Sequence, residues 1–177
     1  MRYLFFSLRP KQWIKNLLIF LPLIFGKKLL VFPANLKTVI AFCFFSLVSS
    51  VVYLVNDIID IEKDKLHPTK RLRPLASGKV SIKQATITAF VLGILSVALC
   101  FMLDVYFGYI VVIYLVFNFV YSKILKDAVI IDVFCISGFF LLRIISGGVV
   151  TGVELSHWII IMAALLALFL GFNKRRQ

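Results

Sequence analysis

Six long apolar runs, separated by short basic segments, constrain the fold of this chain more than any other feature. The candidate spans are residues 16–32, 36–55, 82–103, 106–121, 130–150 and 158–172. Most of them approach the ~20 residues that an α-helix needs to cross a bilayer. Hydrophobic residues make up 62% of the sequence, whereas soluble domains contain about 45–50% apolar residues. The pattern therefore predicts an integral membrane protein, an all-α, multi-span transmembrane helical bundle that forms a single domain over residues 1–177.

The distribution of basic residues predicts the orientation of the bundle. Sixteen of the 20 lysines and arginines fall on the side that carries the N-terminus, and three fall on the other. Basic loops concentrate on the cytoplasmic side, so we expect both termini and the loop after the second span to be cytoplasmic. The setting would be the plasma membrane of a bacterium or an archaeon. Because the bases lie between spans, the net charge of +12 favours anionic lipid headgroups and a phosphorylated substrate as partners over nucleic acid.

The most polar stretch, residues 56–78, reads NDIIDIEKDKLHPTKRLRPLASG and holds four of the eight acidic residues. If the second span continues into it as a helix, Asp57, Asp60 and Asp64 fall within one arc of about 60°. Glu62 then points to the other side. Carboxylates on one face repel one another unless a cation lies between them, and Mg²⁺ suits that position because it also leaves coordination sites for phosphate. The alternative is a solvated loop of mixed charge, and the ordered spacing favours the magnesium site.

Basic residues suited to binding phosphate follow the acids and recur on the same surface. The downstream bases are Lys63, Lys65, Lys70, Arg71, Arg73 and Lys79. With the acids they form a predicted cytoplasmic catalytic loop, residues 56–80. Two further segments place cations beside an aromatic ring: RPKQWIKN, which ends an interfacial segment predicted over residues 1–16, and YSKILKD, residues 121–127. Ordinary anchoring at the membrane interface is an equal alternative for either segment alone.

Two ionisable residues fall inside the fifth span. Asp132 and Arg143 are separated by close to three helical turns, so both side chains lie on one face, about 16 Å apart along the axis. Charged groups inside a span usually face a protein cavity, and this face is expected to line the interior of the bundle. A structural ion pair with another span is the alternative. Gly147 and Gly148 predict either a close contact with a neighbouring helix or a local irregularity.

These features together resemble a known family. The stretch 56–78 resembles the first aspartate-rich signature, NDxxDxxxD followed by RPLxSG, of the UbiA-like prenyltransferase superfamily. The segments RPKQWIKN, YSKILK and GFFLLR look like one branch of it, the decaprenyl-phosphate phosphoribosyltransferases. The resemblance covers nearly the whole chain. It implies a helical bundle, usually of nine spans, that binds Mg²⁺ and a diphosphate at its cytoplasmic mouth.

The resemblance also implies roles for individual residues. Mg²⁺ would be held against the diphosphate by Asn56, Asp57, Asp60 and Asp64. Phosphate groups would be bound by Lys15, Arg71, Arg73 and Lys126. The catalytic set would be Asp57, Asp60, Asp64, Tyr121 and Lys126. Tyr121 would position the substrate, with Asp132 near enough to reach the site. The substrates would be phosphoribosyl diphosphate and a polyprenyl phosphate, in the synthesis of cell-envelope polysaccharide precursors.

Two other functions stay open at this point. A rival within the same superfamily transfers a prenyl group from its diphosphate to an aromatic or quinone-precursor acceptor. A small transporter or inactive assembly subunit is the third hypothesis, but it predicts paired charges near mid-membrane, whereas these acids cluster at the surface. The resemblance matches the chain to the N-terminal two-thirds of the family domain, so we expect activity to need the second acidic motif and three further helices. A homo-oligomer is compatible with the pattern.

Overall fold

A computed structural model describes residues 2–126 and 128–176, and all regular structure within these ranges is helical. The α-helices are α1 (Arg2–Ser7), α2 (Leu21–Phe25), α3 (Ala34–Ile59), α4 (Ile61–Leu66), α5 (Ile82–Leu103), α6 (Val105–Val120), α7 (Val129–Thr151) and α8 (His157–Arg176). The 3₁₀ helices are Pro10–Phe20 and Lys70–Leu72, and a π-helical turn, Tyr121–Leu125, continues α6. The predicted all-α class is confirmed. Asp127, at the end of the predicted YSKILKD segment, lies outside the described residues, as do the side chains of 174–176.

Four of the helical stretches are long and apolar enough to cross a membrane. They are Ala34–Ile59, Ile82–Leu103, Val105–Leu125 and Ile130–Thr151. These correspond to the second, third, fourth and fifth predicted spans. The sixth predicted span falls on α8, whose apolar part, His157–Asn173, is shorter.

The first predicted span differs from the structure. In place of one helix over residues 16–32, the chain forms the 3₁₀ helix Pro10–Phe20 and then the short helix α2. A 3₁₀ helix rises about 2.0 Å per residue, so its 11 residues cover about 22 Å, further than the same number of α-helical residues. Hydrophobic periodicity cannot reveal such a segment, because side-chain contacts with α3 hold it.

Serine side chains on α3 provide those contacts. The indole Nε1 of Trp13 donates to Ser50 Oγ at 2.9 Å. The amide Nδ2 of Asn16 donates to Ser46 Oγ at 3.0 Å and to Ser49 Oγ at 2.8 Å. Asn16, the last residue of the predicted interfacial segment, is therefore buried inside the bundle. The 3₁₀ helix is an integral wall of the fold.

The close contact predicted at the glycines of α7 is present at Gly147. A Cβ atom there would lie 2.0 Å from the carbonyl oxygen of Ile19, so α7 packs directly on the backbone of the 3₁₀ helix. No larger residue allows this approach. The contact fixes the distance between two elements that, together with α3, enclose the interior of the bundle.

An aromatic row runs through the core toward the end of the bundle where α3 terminates. Phe45 packs on Tyr114 with ring centroids 4.8 Å apart, and Tyr114 packs on Phe139 at 5.7 Å. Phe139 in turn contacts Tyr121 at 5.4 Å. These rings connect α3, α6 and α7, and they place Tyr121 where the buried interior meets the polar residues at the end of α3.

Candidate active site

The three predicted aspartates lie where α3 passes into α4, and we refer to Asp57, Asp60 and Asp64 as the acid cluster. Asp60 ends α3, but the helical path continues across the junction, since Asp60 N donates to Asn56 O at 2.9 Å and Asp64 N donates to Asp60 O at 2.8 Å. Asp57 and Asp64 are buried and Asp60 is half-buried. The side chain of Glu62 is 78% exposed and pairs with Lys65, as expected for the opposite face.

Each carboxylate of the acid cluster is paired with a base. Arg73 Nη1 lies 3.2 Å from Asp57 Oδ1 and 2.5 Å from Asp64 Oδ2, so one guanidinium bridges two acids. Lys126 Nζ donates to Asp60 Oδ1 at 2.5 Å, across 66 residues of sequence. Two of the predicted phosphate-binding residues therefore contact the predicted metal ligands directly.

Arg9 is the member of this site that the sequence did not reveal. Its guanidinium forms an ion pair with Asp57 and lies 5.3 Å from the ring centroid of Tyr53. Its φ is 52°, in the left-handed region that few non-glycine residues adopt, and Pro10 follows it. The sequence marked Arg9 only as an interfacial base. The dipeptide Arg9-Pro10 ahead of a helix was the available signal for a sharp change in chain direction.

The π-helical turn after α6 places further predicted residues beside the end of α3. Ser122 Oγ donates to Asn56 Oδ1 at 2.5 Å, and Tyr121 Oη donates to Asp132 Oδ1 at 2.5 Å. Turns of this type are rare and frequently occur at functional sites. Here the turn brings both Tyr121 and Lys126 to the site.

Arg71 lies apart from this arrangement. Its side chain is exposed and forms no ion pair with any acid in the described ranges, whereas Arg73, two residues later, bridges the acid cluster. The role predicted for Arg71 in phosphate binding stays a prediction.

A cavity of about 370 Å³ lies inside the bundle and is lined by Asn56, the residue before Asp57 of the acid cluster. Its walls include Lys15, Tyr53, Asn56, Tyr114, Tyr121 and Arg143. Four of these residues were predicted site residues, contributed by the 3₁₀ helix, α3, the π-helical turn and α7. The structure thus brings together residues that lie up to 128 positions apart in the sequence.

The two charged residues of the fifth span have different surroundings. Asp132 accepts a hydrogen bond from Tyr121 at the polar end of the cavity. Arg143 lies deeper, is 4% exposed, and donates to Asn16, Tyr114 and Phe139. No carboxylate of the described residues forms an ion pair with Arg143, so the alternative of a structural ion pair with another span is not observed at that residue. The prediction that this face borders the interior agrees with the placement of Arg143.

The donor chemistry of the acid cluster fits a hard divalent cation, although its geometry is not that of a finished metal site. Carboxylate oxygens are the ligands Mg²⁺ prefers, and Asp57 and Asp64 already converge on one cationic group. Asp60 is turned toward Lys126. Among the described residues no three histidines, cysteines or acids are arranged to hold one metal ion. Arg73 lies between the carboxylates of Asp57 and Asp64, which with Asn56 and Asp60 would hold the metal.

Sequence comparison relates the chain to membrane transferases. Residues 18–174 match the profile of the UbiA prenyltransferase family. The decaprenyl-phosphate phosphoribosyltransferase of Mycobacterium tuberculosis is 39% identical over 96% of this chain and 57% of its own length. The decaprenyl-phosphate phosphoribosyltransferase of Corynebacterium glutamicum is 38% identical over 96% of this chain and 52% of its own length. The chain spans about half the length of these curated relatives.

Structural comparison gives the same relationship at the level of the fold. A UbiA homologue from Archaeoglobus fulgidus, solved bound to DMAPP and Mg²⁺, superposes with a TM-score of 0.79 at 23% sequence identity. The match covers 95% of this chain and 60% of the homologue.

Proposed function

Because this chain belongs to the UbiA prenyltransferase family, we propose that it provides the diphosphate-binding part of a Mg²⁺-dependent membrane transferase. The reaction is transfer of a phosphoribosyl group from phosphoribosyl diphosphate to a polyprenyl phosphate. The observation that carries the proposal is the acid cluster, whose carboxylates form ion pairs with Arg9, Arg73 and Lys126 beside an interior cavity. The names of the relatives from M. tuberculosis and C. glutamicum favour the phosphoribosyl donor.

The ion pairs of the acid cluster suggest how a diphosphate would bind. Asn56, Asp57, Asp60 and Asp64 would hold Mg²⁺, which when bound neutralises diphosphate charge and makes the diphosphate a better leaving group. Arg9, Arg73 and Lys126 would then exchange their carboxylate partners for phosphate oxygens, since both are anionic acceptors of the same hydrogen bonds. The three bases are partly exposed, so this exchange needs only side-chain rotation.

The reaction requires little proton transfer by the protein. The bond between the anomeric carbon and the diphosphate oxygen breaks, and the diphosphate leaves with the electron pair. An oxygen of the lipid phosphate forms the new bond to the oxocarbenium-like carbon. Because the lipid phosphate is already ionised, no general base is required, and the residues act by positioning and by stabilising charge.

An apolar groove offers a place for the polyprenyl chain. It encloses about 600 Å³ between the 3₁₀ helix, α2, α7 and α8, and Leu18, Phe25 and Trp158 are among the residues that line it. Phe140 and Ala167 line both this groove and the cavity beside the acid cluster. A lipid phosphate could therefore reach the cavity while its hydrocarbon chain stays among apolar side chains.

The orientation of the protein in the membrane is part of the proposal. The excess of basic residues on the side of the acid cluster supports a cytoplasmic active-site mouth and cytoplasmic termini. A soluble, charged donor such as phosphoribosyl diphosphate would then enter from the cytoplasm. A plasma-membrane location and self-association stay predictions.

The test begins with binding to the purified chain in detergent. We expect phosphoribosyl diphosphate to bind in the presence of Mg²⁺ and to lose its affinity when the metal is chelated or in the Asp60→Asn variant. Glu62→Gln, a matched change on the opposite face of α4, should bind as the wild type does. Isothermal titration calorimetry measures all four conditions.

Transfer is then followed with donor labelled in the ribose, with the chain supplemented by the second acidic motif and the three further helices that activity is expected to need. Label that moves into an organic-soluble product in the presence of polyprenyl phosphate supports the proposal. A chain that binds and transfers from geranyl diphosphate to an aromatic acceptor, and not from phosphoribosyl diphosphate, would show that the donor has been assigned wrongly. Absence of any Mg²⁺-dependent diphosphate binding would exclude both transferase reactions.

A further inference from the structure

Arg143 is a buried cation surrounded by neutral groups. Its Nε donates to Asn16 Oδ1 at 2.8 Å, Nη2 donates to Tyr114 Oη at 2.8 Å, and Nη1 donates to the carbonyl oxygen of Phe139 at 2.6 Å. The guanidinium carbon lies 5.0 Å from the ring centroid of Tyr114 and 5.5 Å from that of Phe45. These contacts orient the group and stabilise its charge through ring faces and dipoles, but none of them neutralises it.

The guanidinium keeps hydrogen-bonding capacity for a ligand. It carries five N–H donors, and the three contacts leave one N–H on each terminal nitrogen without an acceptor among the described residues. Arg143 and Lys15 both line the cavity, and no described residue of its lining carries a carboxylate. A buried, uncompensated positive charge beside a cavity favours an anion there.

The neighbouring hydrogen bonds hold Arg143 in one orientation. Asn16 donates through its Nδ2 to Ser46 and Ser49, which leaves its Oδ1 facing Nε of Arg143. Ser49 is itself fixed, because its Oγ donates to the carbonyl oxygen of Phe45 at 2.7 Å. A guanidinium held in this way loses little freedom when it binds, which is the condition for strong anion recognition.

We propose that Arg143 binds a phosphomonoester inside the cavity, at a position separate from the acid cluster. The inference rests on the proposed function, and its favoured ligand is the phosphate of the acceptor lipid. Ile144, the next residue along α7, lines the apolar groove, and Phe140 lies between groove and cavity with its ring 5.9 Å from the guanidinium carbon. A phosphate at Arg143 therefore has the apolar groove beside it for a hydrocarbon chain. The 5-phosphate of the sugar donor shares the same chemistry and is the other source.

The proposal is tested by binding without Mg²⁺ and without phosphoribosyl diphosphate, so that the acid cluster takes no part. The probes are farnesyl phosphate, farnesol and ribose 5-phosphate, titrated into the purified chain in detergent. Arg143→Met should lower the affinity for farnesyl phosphate about 10- to 100-fold, as expected for loss of hydrogen bonds to a charged group. Farnesol binding should be unchanged. Arg143→Lys should lose part of the affinity, because a single ammonium lacks the planar fork.

Arg2→Met is the matched control. Arg2 is an exposed arginine on α1 that also stacks on an aromatic ring, Phe6 at 5.8 Å, but it lies outside the cavity. This variant removes the same charge, and its affinity for farnesyl phosphate should stay within about twofold of the wild type, since Arg2 does not line the cavity. Thermal unfolding of each variant identifies any that fails to fold. If Arg143→Met does not fold, Arg143→Lys decides.

Equal affinity of folded Arg143 variants and wild type for both phosphates would overturn the proposal, as would an equal loss for farnesol. Loss of ribose 5-phosphate alone would overturn the lipid assignment and place the sugar phosphate at Arg143. The outcome is independent of the diphosphate: phosphate binding that depends on Arg143, together with no Mg²⁺-dependent binding of phosphoribosyl diphosphate, would overturn the proposed function and leave this site standing.

Discussion

The acid cluster and the surroundings of Arg143 stabilise charged side chains in the same bundle in two different ways. At the acid cluster every carboxylate pairs with a base, and those bases are partly exposed. At Arg143 the charge is buried, and its described partners are an amide, a phenol, a backbone carbonyl and aromatic rings. The first arrangement is neutral overall and can rearrange, whereas the second is charged and rigid.

The two regions differ in how far ligand binding and stability depend on the same residues. The bases of the acid cluster are partly exposed although Asp57 and Asp64 are buried, so these bases can exchange a carboxylate for another anion without becoming buried and unpaired. Buried hydrogen bonds that link separate elements hold the fold, and the network around Arg143 joins the 3₁₀ helix, α3, α6 and α7. Variants of the acid cluster should therefore alter binding with little effect on unfolding, whereas variants in the network around Arg143 should alter unfolding as well as binding.

The largest expected effect is on diphosphate binding at the acid cluster. Asp57→Asn removes the charge that two bases share, and we expect the Mg²⁺-dependent affinity for phosphoribosyl diphosphate to fall by at least about 100-fold, at the upper end of the effects seen for groups that support metal ligands. Calorimetry in detergent measures it. The unfolding temperature should change little. A variant with a lower unfolding temperature and unchanged diphosphate affinity would contradict the distinction between the two regions.

The next largest effect is on stability, at the contact between α7 and the 3₁₀ helix. Gly147→Ala places a methyl group against the carbonyl of Ile19, and we expect it to lower the free energy of unfolding by about 1–3 kcal/mol. Gly93→Ala is the matched control, because the nearest atom, on Val51, lies at an ordinary 3.6 Å. Chemical unfolding in detergent micelles compares the pair, and equal stability of both variants would show that the approach at Gly147 is not tight.

A smaller effect is expected from the serines that anchor the 3₁₀ helix. Ser49→Ala removes one acceptor of Asn16, and the lost buried hydrogen bond should lower the free energy of unfolding by about 1 kcal/mol. Ser77→Ala, at an exposed turn, removes a hydroxyl that bonds only Pro74 O and should leave unfolding unchanged. If Ser77→Ala destabilises the chain as much as Ser49→Ala, the serine contacts of α3 have no special role.

The smallest effect should come from the solvent-exposed pair on α4. Breaking the contact between Glu62 and Lys65 with Lys65→Met should change the free energy of unfolding by less than about 0.5 kcal/mol. Diphosphate affinity should be unaffected, since the pair faces away from the acid cluster. A marked loss of affinity in this variant would mean that the cluster extends around the helix.

The sequence predicted the features that depend on composition and helical spacing. Asp57 and Asp64, predicted on one helical face, are bridged by Arg73 while the helical path continues through Asp60, and the all-α class followed from the apolar runs. The pairing of Asp60 with Lys126 could not be predicted, since it depends on how α3 and the π-helical turn pack together. Nor could spacing decide that Arg73, and not Arg71, meets the acids, because the intervening loop has no regular period.

The remaining features lie in tertiary hydrogen bonds between residues that look ordinary in sequence. Asn16 was marked as the start of an apolar span, and no role was predicted for the serines of α3. Only the folded chain shows that they hold a 3₁₀ helix and orient Arg143. The same network accounts for the irregular first predicted span. Hydrogen bonds to side chains of α3 hold this segment in a 3₁₀ path, in place of the regular α-helical path that a membrane segment would otherwise adopt.

One short stretch of backbone touches both candidate ligand positions. Arg9, immediately before the 3₁₀ helix, contacts the acid cluster, and Asn16, within it, contacts Arg143. Seven positions separate the two contacts on one continuous segment, so a substitution that displaces this segment along its axis would move both contacts together.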